Sequence, residues 1–265
     1  MIKKKGFTLV ELLVVIAIIA LLLSILMPSL GRAKKQAKDI VCRSNIKQWG
    51  IYFSLYTNEY NGSFQGEWSG AHPDQTWLVT LFNYYKKNPQ ILLCPEGDKP
   101  ETNTMNFTST RWTVWSGHFP PQAVPKTFYK YITTSPYLRG SYGINWFVAN
   151  VPSDAYLEGA KKSDFWRRVD AKGGNQVPMF MDNMQWIMRP FSGDRAPNPE
   201  GFTTGFGWDR ACINRHNGYV NSVFLDCSVR RIGLKELWKM KWYKSYTPVK
   251  PTVWPDWMKK FKEYN

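Results

Sequence analysis

Chemistry has few places to start in this 265-residue chain. Its three histidines are His72, His118 and His216, and its four cysteines are Cys42, Cys94, Cys212 and Cys227. Three histidines leave little for a histidine-rich metal centre or for multi-histidine catalysis. No phosphate-cradling P-loop, HExxH, GxSxG or CxxC spacing occurs. The familiar hydrolase and nucleotide-binding chemistries are thereby set aside. One carboxylate stands out by its position. Glu11 lies within an apolar run from Leu9 to Leu26, where an ionised group is expensive and usually functional. Thirteen tryptophans supply rings that either fill a core or stack on a ligand. Trp68, Trp77, Trp112 and Trp115 fall in loop-like sequence, so glycan stacking competes there with simple packing.

These residues need elements to position them. The apolar run continues to Pro28, and the 22 residues from Phe7 to Pro28 give about 33 Å of helix, enough to span a bilayer core. The run is too long for a secretory signal peptide and lacks a small-x-small cleavage site behind it. Beyond Pro28, Arg32 to Lys38 consists of good helix formers. Ala37, Val41, Asn45, Trp49, Tyr52 and Tyr56 then follow in steps of three and four, which predicts an amphipathic continuation packed on a head. Asn58-Glu59-Tyr60-Asn61-Gly62 ends it. The remainder reads as one turn-rich domain. Strands are expected at Val177–Met184, Val220–Leu225 and Val229–Ile232. Asn217-Gly218 signals a hairpin turn, and residues 97–130 and 192–210 read as long loops. The expected fold class is therefore α+β: a long N-terminal helix on a sheet-containing head. Lys and Arg outnumber Asp and Glu by 35 to 20, but the excess is spread out, which disfavours a nucleic-acid partner. Lys235, Lys239, Lys241 and Lys244 make the best basic patch and read as a solvated helix face.

The stretch Lys3-Lys4-Lys5-Gly6-Phe7-Thr8-Leu9-Val10-Glu11-Leu12-Leu13 resembles the class III leader of type IV pilins and type II secretion pseudopilins. That resemblance implies cleavage after Gly6 by a prepilin peptidase and methylation of Phe7. It also implies that Glu11 pairs with the terminal amine of a neighbouring subunit, giving a buried carboxylate its partner. Pro28 sits where many pilins carry a helix-kinking proline. The implied layout is a leader over 1–6, a transmembrane helix over 7–29, its extension over 30–58 and a head over 59–265. The N-terminus would be cytoplasmic and the head periplasmic or extracellular, with the chain held singly in the inner membrane. The charge flanking the span, three lysines before it and Arg32, Lys34, Lys35 and Lys38 after it, does not decide that orientation alone.

An even cysteine count in a domain placed outside the cytoplasm permits disulfides. Cys42–Cys94 and Cys212–Cys227 are the candidate pairs, the second because it flanks Asn217-Gly218; buried free thiols are the alternative. Zinc is disfavoured by the wide spacing. Cys42-Arg43-Ser44-Asn45-Ile46-Lys47-Gln48-Trp49-Gly50 is similar to a stretch of a pilin-like family of planctomycete-type bacteria. His216 and Asp226 resemble that family's H-X9-D-G motif, with Cys227 in place of the glycine, which puts the tight turn in doubt. Leu234–Trp238 and Trp254–Met258 resemble that group's tails. Across a hairpin spanning 212–232, His216 and Asp226 could meet in a structural hydrogen bond. The alternative is a metal site with Asp182 as third ligand, for which calcium is the ion the resemblance suggests. No nucleophile or paired acid stands out, so the expectation is a structural subunit rather than an enzyme, needing no cofactor. Its partners would be the peptidase, other pilin or pseudopilin subunits, an inner-membrane assembly platform and membrane lipid. A membrane-anchored head that binds glycan is the competing reading.

Overall fold

A computed structural model describes residues 8–66, 76–97, 115–118, 137–152, 159–198, 207–249 and 251–264. The longest element is α1, Leu9–Glu59, 51 residues without a break. It starts as the sequence dictates. Thr8 Oγ1 accepts the Glu11 backbone N–H at 3.3 Å, and Glu11 Oε2 accepts the Thr8 N–H at 2.8 Å, a reciprocal cap on the orphan donors of the first turn. Pro28 lies inside α1 without ending it. Ser24 and Ser29 return hydroxyls to the carbonyls of Leu21 and Leu26, at 2.7 and 2.8 Å.

The helix has two different halves. Residues 8–37 are exposed along their whole length although most are apolar, and this half is long and apolar enough to cross a membrane. Burial begins at Asp39 and continues through Cys42, Ile46, Trp49, Gly50, Phe53, Tyr56 and Thr57 at helical spacing. The expected stripe is right from Asn45 onward, where the half-buried Asn45 amide donates to Leu93 O at 3.2 Å, and wrong before it. Ala37 and Val41 face outward, and the buried face there is made by Asp39 and Cys42, polar groups satisfied by buried partners described below.

The head is built on a five-stranded sheet in the order β5-β3-β4-β6-β7. Its strands are β3 (Tyr142–Asn145), β4 (Pro178–Asp182), β5 (Ile187–Met188), β6 (Tyr219–Phe224) and β7 (Val229–Gly233). All neighbours run antiparallel except β3 and β5. A separate antiparallel pair joins β1 (Trp115–His118) to β2 (Tyr137–Gly140), so 97–130 is not wholly loop. Within 192–210 the chain likewise forms a short helix, Trp208–Ala211. The second half of α1 lies across β4, β6 and β7. Trp49 is the centre of this contact. It is fully buried, its ring meets Trp77, Tyr85 and Phe180 at 5.1–5.3 Å between centroids, and its indole N–H donates to Ile91 O at 3.0 Å. The architecture is the α+β arrangement expected: a long apolar N-terminal helix on a mixed sheet.

Several expectations are corrected. The hairpin turn between β6 and β7 is Leu225–Ser228, whereas Asn217-Gly218 precedes β6 and feeds the chain into it. Both Asn217 (φ 52°) and Gly218 (φ 91°) are left-handed, so the turn signal was sound and only its place in the topology differs. Cys227 itself adopts φ 63°, and its N–H donates to Phe224 O at 2.8 Å. The tight turn thus survives the loss of glycine. Lys235 is not on a solvated face: it is buried, ion-paired to Glu263 at 2.7 Å and set over the Trp254 ring. Trp77 is core rather than a sugar-stacking loop residue, with its indole N–H on Trp186 O at 2.7 Å. Trp68 and Trp112, and the side chain of Trp115, lie outside the described residues.

Candidate functional site

Two places concentrate the chemistry. The first is the start of α1. Gly6 and Phe7 lie outside the described residues, but Glu11 is exposed at the helix start, with its carboxylate closing on Thr8 Oγ1 at 2.7 Å as well as on the Thr8 N–H. The capping contacts hold the charge at one spot on an otherwise apolar surface.

The second place is buried where α1 meets the sheet. Asp39 and Cys42 come from one face of α1, three residues apart. Cys94 follows the 3-10 turn Pro89–Leu92. Asp182 ends β4, and His216 lies just before β6. Asp182 is fully inaccessible, and His216 is buried between the two carboxylates. His216 Nδ1 is 3.3 Å from Asp39 Oδ1, and Nε2 is 3.2 Å from Asp182 Oδ2. Cys94 Sγ lies 3.5 Å from that same Nε2. The Cys42 thiol donates to Asp182 Oδ1 at 3.3 Å, and the Tyr142 hydroxyl reaches Cys42 Sγ at 3.5 Å. One donor atom from each of Cys42, Cys94, Asp182 and His216 lies within 4.8 Å of every other.

The carboxylates are held by an outer layer. Asn221 donates its backbone N–H to Asp182 Oδ2 at 2.8 Å and its amide to Asp39 Oδ1 at 2.9 Å. Arg231 pairs with Asp39, and Arg43 approaches the same carboxylate at 3.3 Å. These contacts set the protonation states. Burial pushes the Asp182 and Asp39 carboxyls up. It is outweighed by His216 and Arg215 at Asp182, and by Arg231, Asn221 and His216 at Asp39, so both end below the usual carboxylate range. Burial pushes His216 down, and Asp182 overcomes it, raising the ring to about 10. Burial raises the Cys42 thiol, and its hydrogen bond with Cys94 raises it further. Cys94 is pushed up by burial, but its bonds with Cys42 and His216 bring it down to about 6.

The structure brings together four of the residues singled out from sequence, namely Cys42, Cys94, Asp182 and His216, and leaves out three. Asp226 does not meet His216. It accepts from the Ser228 N–H and hydroxyl at 3.0 and 2.6 Å, inside its own turn. With the hairpin turn at Leu225–Ser228, that turn is Asp226's own site, so the H-X9-D spacing does not imply contact. Cys212 and Cys227 do not pair. Cys212 Sγ sits 3.8 Å from Met258 Sδ, while Cys227 Sγ is 2.9 Å from Ser54 Oγ on α1. Cys42 and Cys94 are neighbours as free thiols. Sequence reasoning missed Asp39 and Tyr142. The available signal was a carboxylate placed one helical turn before Cys42, on the face the helix would bury.

The chain is similar to known proteins over part of its length. Residues 1–27 match the prokaryotic N-terminal methylation motif. Over 57 residues the chain is 44% identical to a type IV wide pilus major component of Thermus thermophilus, a stretch covering 22% of this chain and 44% of that relative. The match thus spans less than half the length of the curated relative. No solved structure matches the chain. The methylation motif and the pilin relative together support a type IV pilin-like family.

Proposed function

We propose that this chain is a structural subunit of a type IV pilus-like or type II secretion filament and not an enzyme. A prepilin peptidase cleaves it after Gly6 and methylates Phe7. The mature chain sits in the inner membrane, head outward, before it joins other subunits on an assembly platform. The observation that carries this reading is the division of α1. The head grips the helix only from Lys38 onward, and the exposed stretch from Leu9 to Leu30 presents mainly apolar side chains to whatever surrounds it. Such a surface is covered by lipid before assembly and by neighbouring helices after it. Glu11 is the one ionised group between Leu9 and Leu30 and would take a neighbour's cationic terminus as partner.

The test is intact-mass and N-terminal peptide mass spectrometry of the chain from its native membrane. A mature chain beginning at methylated Phe7 is the expected result. A chain that keeps Met1 to Gly6 in cells with an active prepilin peptidase overturns the reading.

A further inference from the structure

We propose that Cys42, Cys94, Asp182 and His216 bind a single zinc-class divalent ion that fastens α1 to the head. The donors come from four separated segments: α1, the segment after the 3-10 turn, the end of β4 and the approach to β6. Two thiols, an imidazole and a carboxylate form a borderline-soft set that suits zinc; calcium requires oxygen donors. The spacing of the donors fits as well. Metal–ligand bonds of about 2.0–2.3 Å in a tetrahedron put neighbouring donor atoms about 3.3–3.8 Å apart. Here Nε2 to Asp182 Oδ2 is 3.2 Å, Cys42 Sγ to Asp182 Oδ1 is 3.3 Å and Cys94 Sγ to Nε2 is 3.5 Å, and with all four donors within 4.8 Å of one another the set closes on an ion by small side-chain shifts.

Three of the four ligands, His216, Cys42 and Asp182, also have a supporting partner outside the set. Asp39 faces His216 Nδ1, which fixes the tautomer that leaves Nε2 free for a metal. Tyr142 supports Cys42, and the Asn221 N–H supports Asp182. Four protein ligands in a closed, buried set make a structural centre with no open position for substrate. Binding would displace any thiol protons and the Nε2 proton of His216, since every ligand must be deprotonated. Two thiolates, Asp182 and a divalent cation leave one negative charge, beside Arg215, Arg43 and Arg231.

The proposal stands apart from the filament reading. It is tested on the full-length chain purified in detergent under reducing conditions, by elemental analysis and by cobalt substitution followed in the visible and near-ultraviolet. The expected result is about one zinc per chain, with cobalt giving tetrahedral d–d bands and a thiolate charge-transfer band. Cys94→Ser and His216→Ala should each lose the metal, and Asp226→Asn should keep it. Two results overturn the proposal: a reduced wild-type chain that takes up neither zinc nor cobalt, or metal that survives both ligand substitutions. A native chain that is metal-free and yields a Cys42–Cys94 disulfide-linked peptide also overturns it. The wild-type measurements decide even where a variant misfolds.

Discussion

The backbone of Gly50 lies against the side chain of Val223: a β-carbon at residue 50 would come 2.8 Å from Val223 Cγ2. α1 approaches β6 this closely only because residue 50 has no side chain. Gly50→Ala sets two effects against each other. Helix propensity favours alanine by about 1 kcal/mol, while overpacking against a buried β-branched residue costs about 1–3 kcal/mol. We expect net destabilisation in chemical denaturation. In a Val223→Ala background the clash is gone and Gly50→Ala should turn stabilising. Additive effects in that cycle would show that the close approach is not what residue 50 serves.

Cys227 holds a left-handed conformation that glycine adopts freely. Its thiol lies against Ser54 on α1, which partly offsets that strain. Cys227→Gly should therefore change stability by no more than about 1 kcal/mol. Cys227→Val should lose about 2 kcal/mol, because β-branching is worst at positive φ. Thermal unfolding of the two variants checks the ordering; equal losses would contradict it.

Asp194 titrates in the opposite sense to the carboxylates of the buried cluster. Burial pushes its carboxyl up, the Phe191 N–H at 2.9 Å pulls it partly back, and Asp209 adds repulsion. Because the folded value lies above the unfolded one, the ionised form costs stability at neutral pH. That cost disappears as the pH falls through the folded value. Asp194→Asn keeps an acceptor for Phe191 and removes the charge. Its melting temperature should exceed wild type by about 1–3 °C at pH 7, with the gap closing on acidification. A gap that widens in acid would refute this account.

Asp39 orients His216 without reaching the proposed ion. Asp39→Ala should weaken zinc retention against a chelator by about 10–100-fold, and Asp39→Asn, which can still accept from Nδ1, should weaken it less. The ranking separates orientation from general destabilisation, since both variants lose the ion pair with Arg231.

The helix and the central strands were legible because their signals are local. An unbroken apolar run and β-branched strings each lie within one element. Trp49 and Tyr56 were correctly placed on the buried face for the same reason. The buried cluster was not legible as a unit. Cys42, Cys94, Asp182 and His216 are up to 174 residues apart in sequence, and only the pairing of β4 with β6 and the seat of α1 on both bring them together. The H-X9-D spacing pointed to Asp226 because a hairpin was assumed between the two residues. His216 instead sits before β6, outside that hairpin, and turns to carboxylates from other segments. Asp39 escaped notice because the hydrophobic stripe was traced through Ala37 and Val41, which trades a polar buried face for an apolar exposed one.

The division of α1 has a mechanical consequence. A pull along the helix axis reaches the head through the whole interface from Asp39 to Thr57 at once. Ring contacts, the Asp39–Arg231 pair and the Lys47 bond to Cys227 O would all have to slip together. That is loading in shear, in which many weak contacts share the force. A sideways tug at the tip of the shaft would peel them one by one. The head's hold on α1 is therefore strongest along the helix axis.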